Sequence, residues 1–176
     1  STEGRRAPID SARPRPLRQA VSPVNPLVEP PAAAVSEAVA RALAEDLVPL
    51  GDITSALLAP TATARGALVS RAPGRLAGTA CVVETCRQVD ERLVVDLRLH
   101  DGASLEPGAV IGTIEGPLAA MLTAERTALN FLGHLSGVAT LAARYREAAD
   151  ESTLVWDTRK TTPGLRALEK AAVRAG

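Results

Sequence analysis

Prolines set the first limit on what this chain can fold into. Seven of its 13 fall within the first 31 residues (Pro8, Pro14, Pro16, Pro23, Pro26, Pro30 and Pro31), together with five arginines and hardly any apolar periodicity. Each proline removes a backbone donor and fixes φ, so neither helix nor sheet propagates through such spacing. The segment also has too little apolar surface to offset its ordering entropy. Residues 1–31 are therefore predicted to be a disordered or weakly docked tail. Prolines spoil an amphipathic transit helix, Glu3, Asp10 and Glu29 are acidic, and no apolar core of a secretory signal is present, so a cytoplasmic location is expected.

The remainder holds enough apolar material for one ordinary core, since 46% of the 176 residues are hydrophobic. Twenty basic residues balance 20 acidic ones, which argues against partners attracted by overall charge, whether nucleic acid or anionic membrane. Any anion recognition must be local. With one Phe (Phe131), one Tyr (Tyr145) and one Trp (Trp156), base-stacking platforms and aromatic sugar grooves are also disfavoured. No apolar run approaches the roughly 20 residues that span a bilayer. Cys81 and Cys86 fit neither a redox pair nor zinc-ligand spacing and read as buried small hydrophobes.

Helical periodicity begins near Ala33, where Val35, Ala38, Val39, Ala42, Leu43 and Leu47 form one stripe, ended by Pro49 and Gly51. Gly66 to Arg71 reads as a strand, Pro73-Gly74 as a turn, and Thr79 to Val89 as a helix. Leu93, Val95, Leu97 and Leu99 alternate with more polar residues as a half-buried strand. Turns follow at Asp101-Gly102 and Pro107-Gly108, with a strand from Val110 to Ile114. Pro117 suits the first turn of a helix running to about Gly133, and a second helix is expected from about Gly137 to Ala149. Leu154, Val155 and Trp156 read as a short strand, followed by a cationic loop and a helix with Thr162 as its N-cap and Pro163 as its first residue.

Two clusters carry possible chemistry. Arg159 and Lys160 lie beside the hydroxyls of Thr158, Thr161 and Thr162, just after a strand and before a helix N-terminus. Two cations, hydroxyls and unpaired N–H groups suit a carboxylate or phosphate, with Arg as a bidentate fork and Lys as a point charge. An ordinary exposed loop fits the same spacing. Arg126, Asn130 and His134 are spaced four apart as one polar stripe on an otherwise apolar helix. That stripe suits a hydrogen-bonded network or a salt bridge to Glu125, or an arginine held over an anionic ligand or a neighbouring subunit.

The stretches Thr123 to Gly137 (TAERTALNFLGHLSG) and Asp157 to Gly176 (DTRKTTPGLRALEKAAVRAG) resemble the quinolinate phosphoribosyltransferases, among the type II phosphoribosyltransferases. The resemblance extends upstream through Glu45-Asp46-Leu47, Gly51-Asp52-Ile53-Thr54-Ser55, Leu76-Ala77-Gly78 and Asp101-Gly102, covering about residues 35–176. It implies an α+β N-terminal domain, an open sheet with helices, over residues 32–149, with its helical segment at 117–149. Residues 150–176 would then be the first βα unit of an α/β barrel that this chain is not expected to complete.

The implied reaction moves the phosphoribosyl group of 5-phosphoribosyl-1-pyrophosphate, with Mg²⁺, onto quinolinate. It yields nicotinate mononucleotide, carbon dioxide and pyrophosphate in de novo NAD synthesis. By the same resemblance Thr158, Arg159 and Lys160 match substrate-binding positions, and Arg126 matches an arginine supplied to the neighbouring subunit of a homodimer or larger assembly. No protein nucleophile is implied, because positioning and electrostatics can carry the transfer. Ala119 stands where the family commonly has arginine and Ala171 where it has tyrosine, while Gly176 resembles the first residue of a glycine-rich stretch that precedes further substrate and metal groups. Alternatives are a non-catalytic binding or dimerisation fragment of the family and a molybdate-transport-associated relative. A biotinyl or lipoyl carrier is disfavoured because no lysine precedes Lys160.

Overall fold

The computed structural model describes residues 29–48, 55, 58–150 and 152–176. Apart from Glu29, Pro30 and Pro31, the expected tail lies outside them, as do Pro49, Gly51, Asp52, Ile53 and Thr54.

Helix α1 (Ala32–Leu47) buries Val35, Ala38, Val39 and Leu43, most of the predicted stripe. Val48 leaves it in extended geometry, φ −97° and ψ 136°, the conformation a following proline imposes. Strand β1 (Thr63–Val69) and the two-residue β2 (Gly74–Arg75) precede helix α2 (Thr79–Val89), whose limits match those expected from the sequence. Strands β3 (Val94–Leu97), β4 (Ser104–Leu105) and β5 (Val110–Pro117) follow. The turn expected at Pro73-Gly74 is shifted, since Gly74 pairs with Leu105 in a small β2–β4 ladder.

The main sheet is antiparallel with order β1-β5-β3. Its register sets Gly66 opposite Ile114 and Val95 opposite the same residue on the other side. As the central strand, β5 buries Ile111, Gly112, Thr113 and Ile114 in succession, whereas β1 alternates between exposed and half-buried. Helix α2 starts from Gly78 at φ 96°. Its first N–H groups are capped from a distance: Asp101 accepts from the Gly78 and Thr79 amides at 2.8 and 3.0 Å and from the Thr79 hydroxyl at 2.7 Å. The Asp101-Gly102 turn therefore serves the helix as well as the sheet.

Where two helices were expected after Pro117, one 31-residue helix stands, α3 (Leu118–Ala148). At 1.5 Å per residue it is about 46 Å long. Pro117 itself is its N-cap and ends β5, so the helix begins one residue later than expected. Gly133 and Gly137 together disfavour helix by roughly 2 kcal/mol, yet the segment between them is pinned by tertiary contacts. Leu135 is fully buried, and the Ser136 hydroxyl donates to the Ala77 carbonyl and accepts from the Ala77 amide, both at 3.1 Å. Packing overrides propensity there.

Helices α2 and α3 share two cores. Val39, Leu43, Cys81, Phe131, Leu135 and Leu168 pack between the helices. Leu76, Val82, Cys86, Ile111, Ile114 and Leu132 pack between helices and sheet. Both cysteines are buried, and burial, with Asp101 and Glu84 nearby, pushes the Cys81 thiol up to about 12. Among the described residues no helix is long and apolar enough to cross a membrane.

The C-terminal segment departs from expectation in two ways. Leu154, Val155 and Trp156 form no strand, and Leu154 and Trp156 are 75% and 82% exposed. A strand needs a hydrogen-bonded neighbour, and among the described residues none lies beside this one. Helix α4 (Arg166–Ala175) begins four residues after Thr162, with Leu165 as its N-cap. Gly164 at φ 82° cannot continue a right-handed helix, and the Thr162 amide is taken by Glu169.

Candidate substrate site

Residues 152–160 are exposed, Arg159 and Lys160 among them, and Thr161 is half-buried. The Lys160 amide donates to the Thr158 hydroxyl at 3.1 Å, closing a local turn that sets the backbone between them. Arg166 bonds the Arg159 carbonyl at 3.3 Å and the Thr161 hydroxyl at 3.2 Å. Lys170 is paired with Asp157 at 2.6 Å. Among the described residues, no carboxylate pairs with the Arg159 or Lys160 side chain. Two neighbouring cations with open surroundings can accept a dianion at low desolvation cost.

Further ties hold the Arg159–Lys160 loop to the helical core. The Glu169 carboxylate accepts from the Thr162 amide at 3.2 Å and from His134 Nε2 at 2.9 Å. Arg41 donates to the Gly164 carbonyl at 3.3 Å, and Leu165 packs against the helices. Burial pushes the Glu169 carboxyl up, but hydrogen bonds from Thr162 and His134 outweigh it and leave the group below its ordinary range.

Arg126 sits on the same polar face of α3, two turns or about 12 Å from His134 along the axis. It pairs with Asp46 of α1 at 2.7 Å, a carboxylate from another helix, where a salt bridge to Glu125 was one of the readings the spacing allowed. Asp46, Glu45, Asn130, Phe131, His134 and Leu165 line a cleft of about 340 Å³ between α1, α3 and the start of α4. With two carboxylates in its wall the cleft is not itself cationic. Its lining reaches Leu165, which follows the exposed Arg159–Lys160 loop in the chain.

Thr158, Arg159 and Lys160 thus share one loop, docked on the helix that carries Arg126. Sequence reasoning missed Asp46 and Glu169. For Glu169 a signal existed, because it falls on the same stripe as Leu165, Leu168 and Ala172, where a charge requires a buried partner. Asp46 gave none beyond its place in the Glu45-Asp46-Leu47 motif.

Two family models match the chain, "Quinolinate phosphoribosyl transferase, N-terminal domain" over residues 52–136 and "Quinolinate phosphoribosyl transferase, C-terminal domain" over residues 138–176. The chain belongs to the quinolinate phosphoribosyltransferase family. A probable nicotinate-nucleotide pyrophosphorylase [carboxylating] of Bacillus subtilis (strain 168) is 43% identical over 130 residues, 72% of this chain and 44% of that protein. The nicotinate-nucleotide pyrophosphorylase [carboxylating] of Mycobacterium leprae is 40% identical over 148 residues, 81% of this chain and 52% of its own length.

Among solved structures, the nicotinate-nucleotide pyrophosphorylase from Francisella tularensis superposes with a TM-score of 0.81 at 32% identity, covering 88% of this chain and 55% of that one. NadC from Streptococcus pyogenes gives 0.80 at 36% identity, covering 84% and 53%. The chain spans about half the length of the curated relatives it matches. The open sheet with helices is the N-terminal domain of this family, and the share of the relatives covered fits an incomplete barrel.

Proposed function

We propose that this chain contributes the substrate-recognition part of a phosphoribosyltransferase acting on quinolinate. In the reaction the ring nitrogen displaces pyrophosphate from C1 of 5-phosphoribosyl-1-pyrophosphate. The 2-carboxylate leaves as carbon dioxide, its bonding electrons stay on the ring carbon, and that carbon takes a proton to give nicotinate mononucleotide. The observation that carries the reading is the exposed Arg159–Lys160 pair, uncompensated by any carboxylate among the described residues and docked on the Arg126 helix. Quinolinate carries two adjacent carboxylates, and a forked guanidinium beside a point charge matches them.

Arg159 and Lys160 bind the dicarboxylate, Thr158 sets the loop's turn, and Arg126 reaches toward the site of a neighbouring copy in a homodimer. The Arg126 side chain is 71% exposed, so leaving Asp46 for such a partner would cost little. Mg²⁺ belongs to this reading as the companion of the pyrophosphate. Among the described residues no three His, Cys, Asp or Glu side chains gather to hold a metal. The enzyme works in the cytoplasm in this reading, as a step of NAD synthesis.

The test is formation of nicotinate mononucleotide from quinolinate, 5-phosphoribosyl-1-pyrophosphate and Mg²⁺ by the native gene product. Product dependent on both substrates and lost in Arg159→Ala is expected. Turnover unchanged by Arg159→Ala would remove the site assignment, and no turnover at all would remove the function.

A further inference from the structure

The buried face of α4 carries one charged residue. Glu169 is 8% exposed and lies among Leu168, Ala171, Ala172 and Ala175. A carboxylate in such a place is tolerated only when its oxygens are satisfied. Here they are divided between two parts of the molecule. One oxygen accepts from His134 on α3, the other from the Thr162 backbone, two residues after Lys160. The other side-chain ties on the loop, from Arg41, Arg166 and Lys170, are made at the surface. Glu169 is thus the partly buried link between the cationic loop and the helix that carries Arg126.

We propose that Glu169 is the positioning residue of the Arg159–Lys160 loop, with His134 as its anchor on α3. The proposal rests on the reading of that loop as the substrate-binding segment. A loop held in one conformation before binding need not be ordered by its ligand, so affinity depends on the tie although Glu169 touches no substrate. The arrangement also spans the two family segments, since His134 lies in the first and Glu169 and Thr162 in the second. The two parts are thereby set in a fixed relation at the site.

Amide hydrogen exchange and quinolinate titration on the same variants test this. In Glu169→Ala the Thr162 amide is expected to exchange at least about tenfold faster and the quinolinate Kd to rise by about the same factor, while the amides of α2 exchange as in the wild type. Glu169→Gln keeps an acceptor for Thr162 and should stay within about threefold in both readouts. His134→Ala, at a half-exposed position that does not threaten folding, should move both in the same direction by about threefold, and it decides the question if Glu169→Ala fails to fold.

Thr162 exchange within about twofold of the wild type would overturn the proposal, as would faster exchange with unchanged Kd. If the wild type binds no quinolinate, the proposed function falls, and exchange at Thr162 alone decides the role of Glu169.

Discussion

Arg126 Nη1 donates to Asp46 Oδ1 at 2.7 Å, joining α3 to α1 across 80 residues of sequence. The arginine side chain is 71% exposed and the aspartate 22%, so the pair contributes at most about 1 kcal/mol. An arginine placed for stability should be felt in melting, and one placed for a ligand or a neighbouring copy should be felt in turnover. Arg126→Ala is expected to lower Tm by no more than about 4 °C and to cut kcat/KM at least about tenfold, as loss of a charged substrate contact does. Calorimetry and steady-state kinetics on one preparation check both. A large fall in Tm with unchanged kinetics would make the residue structural.

Gly78 is the N-cap from which α2 starts. Its φ of 96° is left-handed, and a Cβ there would lie 2.9 Å from Leu135 Cδ1 and 3.3 Å from the Phe131 carbonyl oxygen. Gly78→Ala combines backbone strain of about 1–2 kcal/mol with displacement of a fully buried leucine. The expected loss is roughly 2–4 kcal/mol in denaturant unfolding, with an unchanged m-value.

Much of the N-terminal architecture is legible from local pattern. The apolar stripe of α1, the limits of α2 and the alternation from Leu93 to Leu99 depend on neighbours a few residues away. Features decided by distant partners are not legible in this way. Gly133 and Gly137 read as a break because their propensity is local, whereas Ser136 finds Ala77 across 59 residues. Leu154 to Trp156 has the composition of a strand, but composition cannot supply the neighbouring strand that would pair with it. The cations at Arg126, Arg159 and Lys160 are legible as candidates and Glu169 leaves a trace as a charge on an apolar stripe, but the partners of Asp46 and Glu169 are evident only when the helices are placed side by side.

Acid stability offers a test of how α1 and α2 are joined. The Arg87 guanidinium, hydrogen-bonded to Glu84, holds its carboxyl down to about 2, helped by Gln88 and Ser36 and opposed by burial. A carboxyl depressed by folding contributes stability that is fully present above its ordinary value of 4.5 and is lost as pH falls toward 2. In Glu84→Gln the decline of Tm across that window should be shallower than in the wild type. Parallel curves for the two proteins would show that the group does not couple to folding.

The loop of Arg159 and Lys160 is the centre of the account, and calorimetric titration with quinolinate examines it directly. The wild type should bind. Arg159→Ala should raise Kd at least about tenfold, the cost of a bidentate charged contact, and Tm should stay within about 2 °C because the side chain is exposed and unpaired among the described residues. Equal quinolinate affinity in the wild type and in Arg159→Ala would contradict the account.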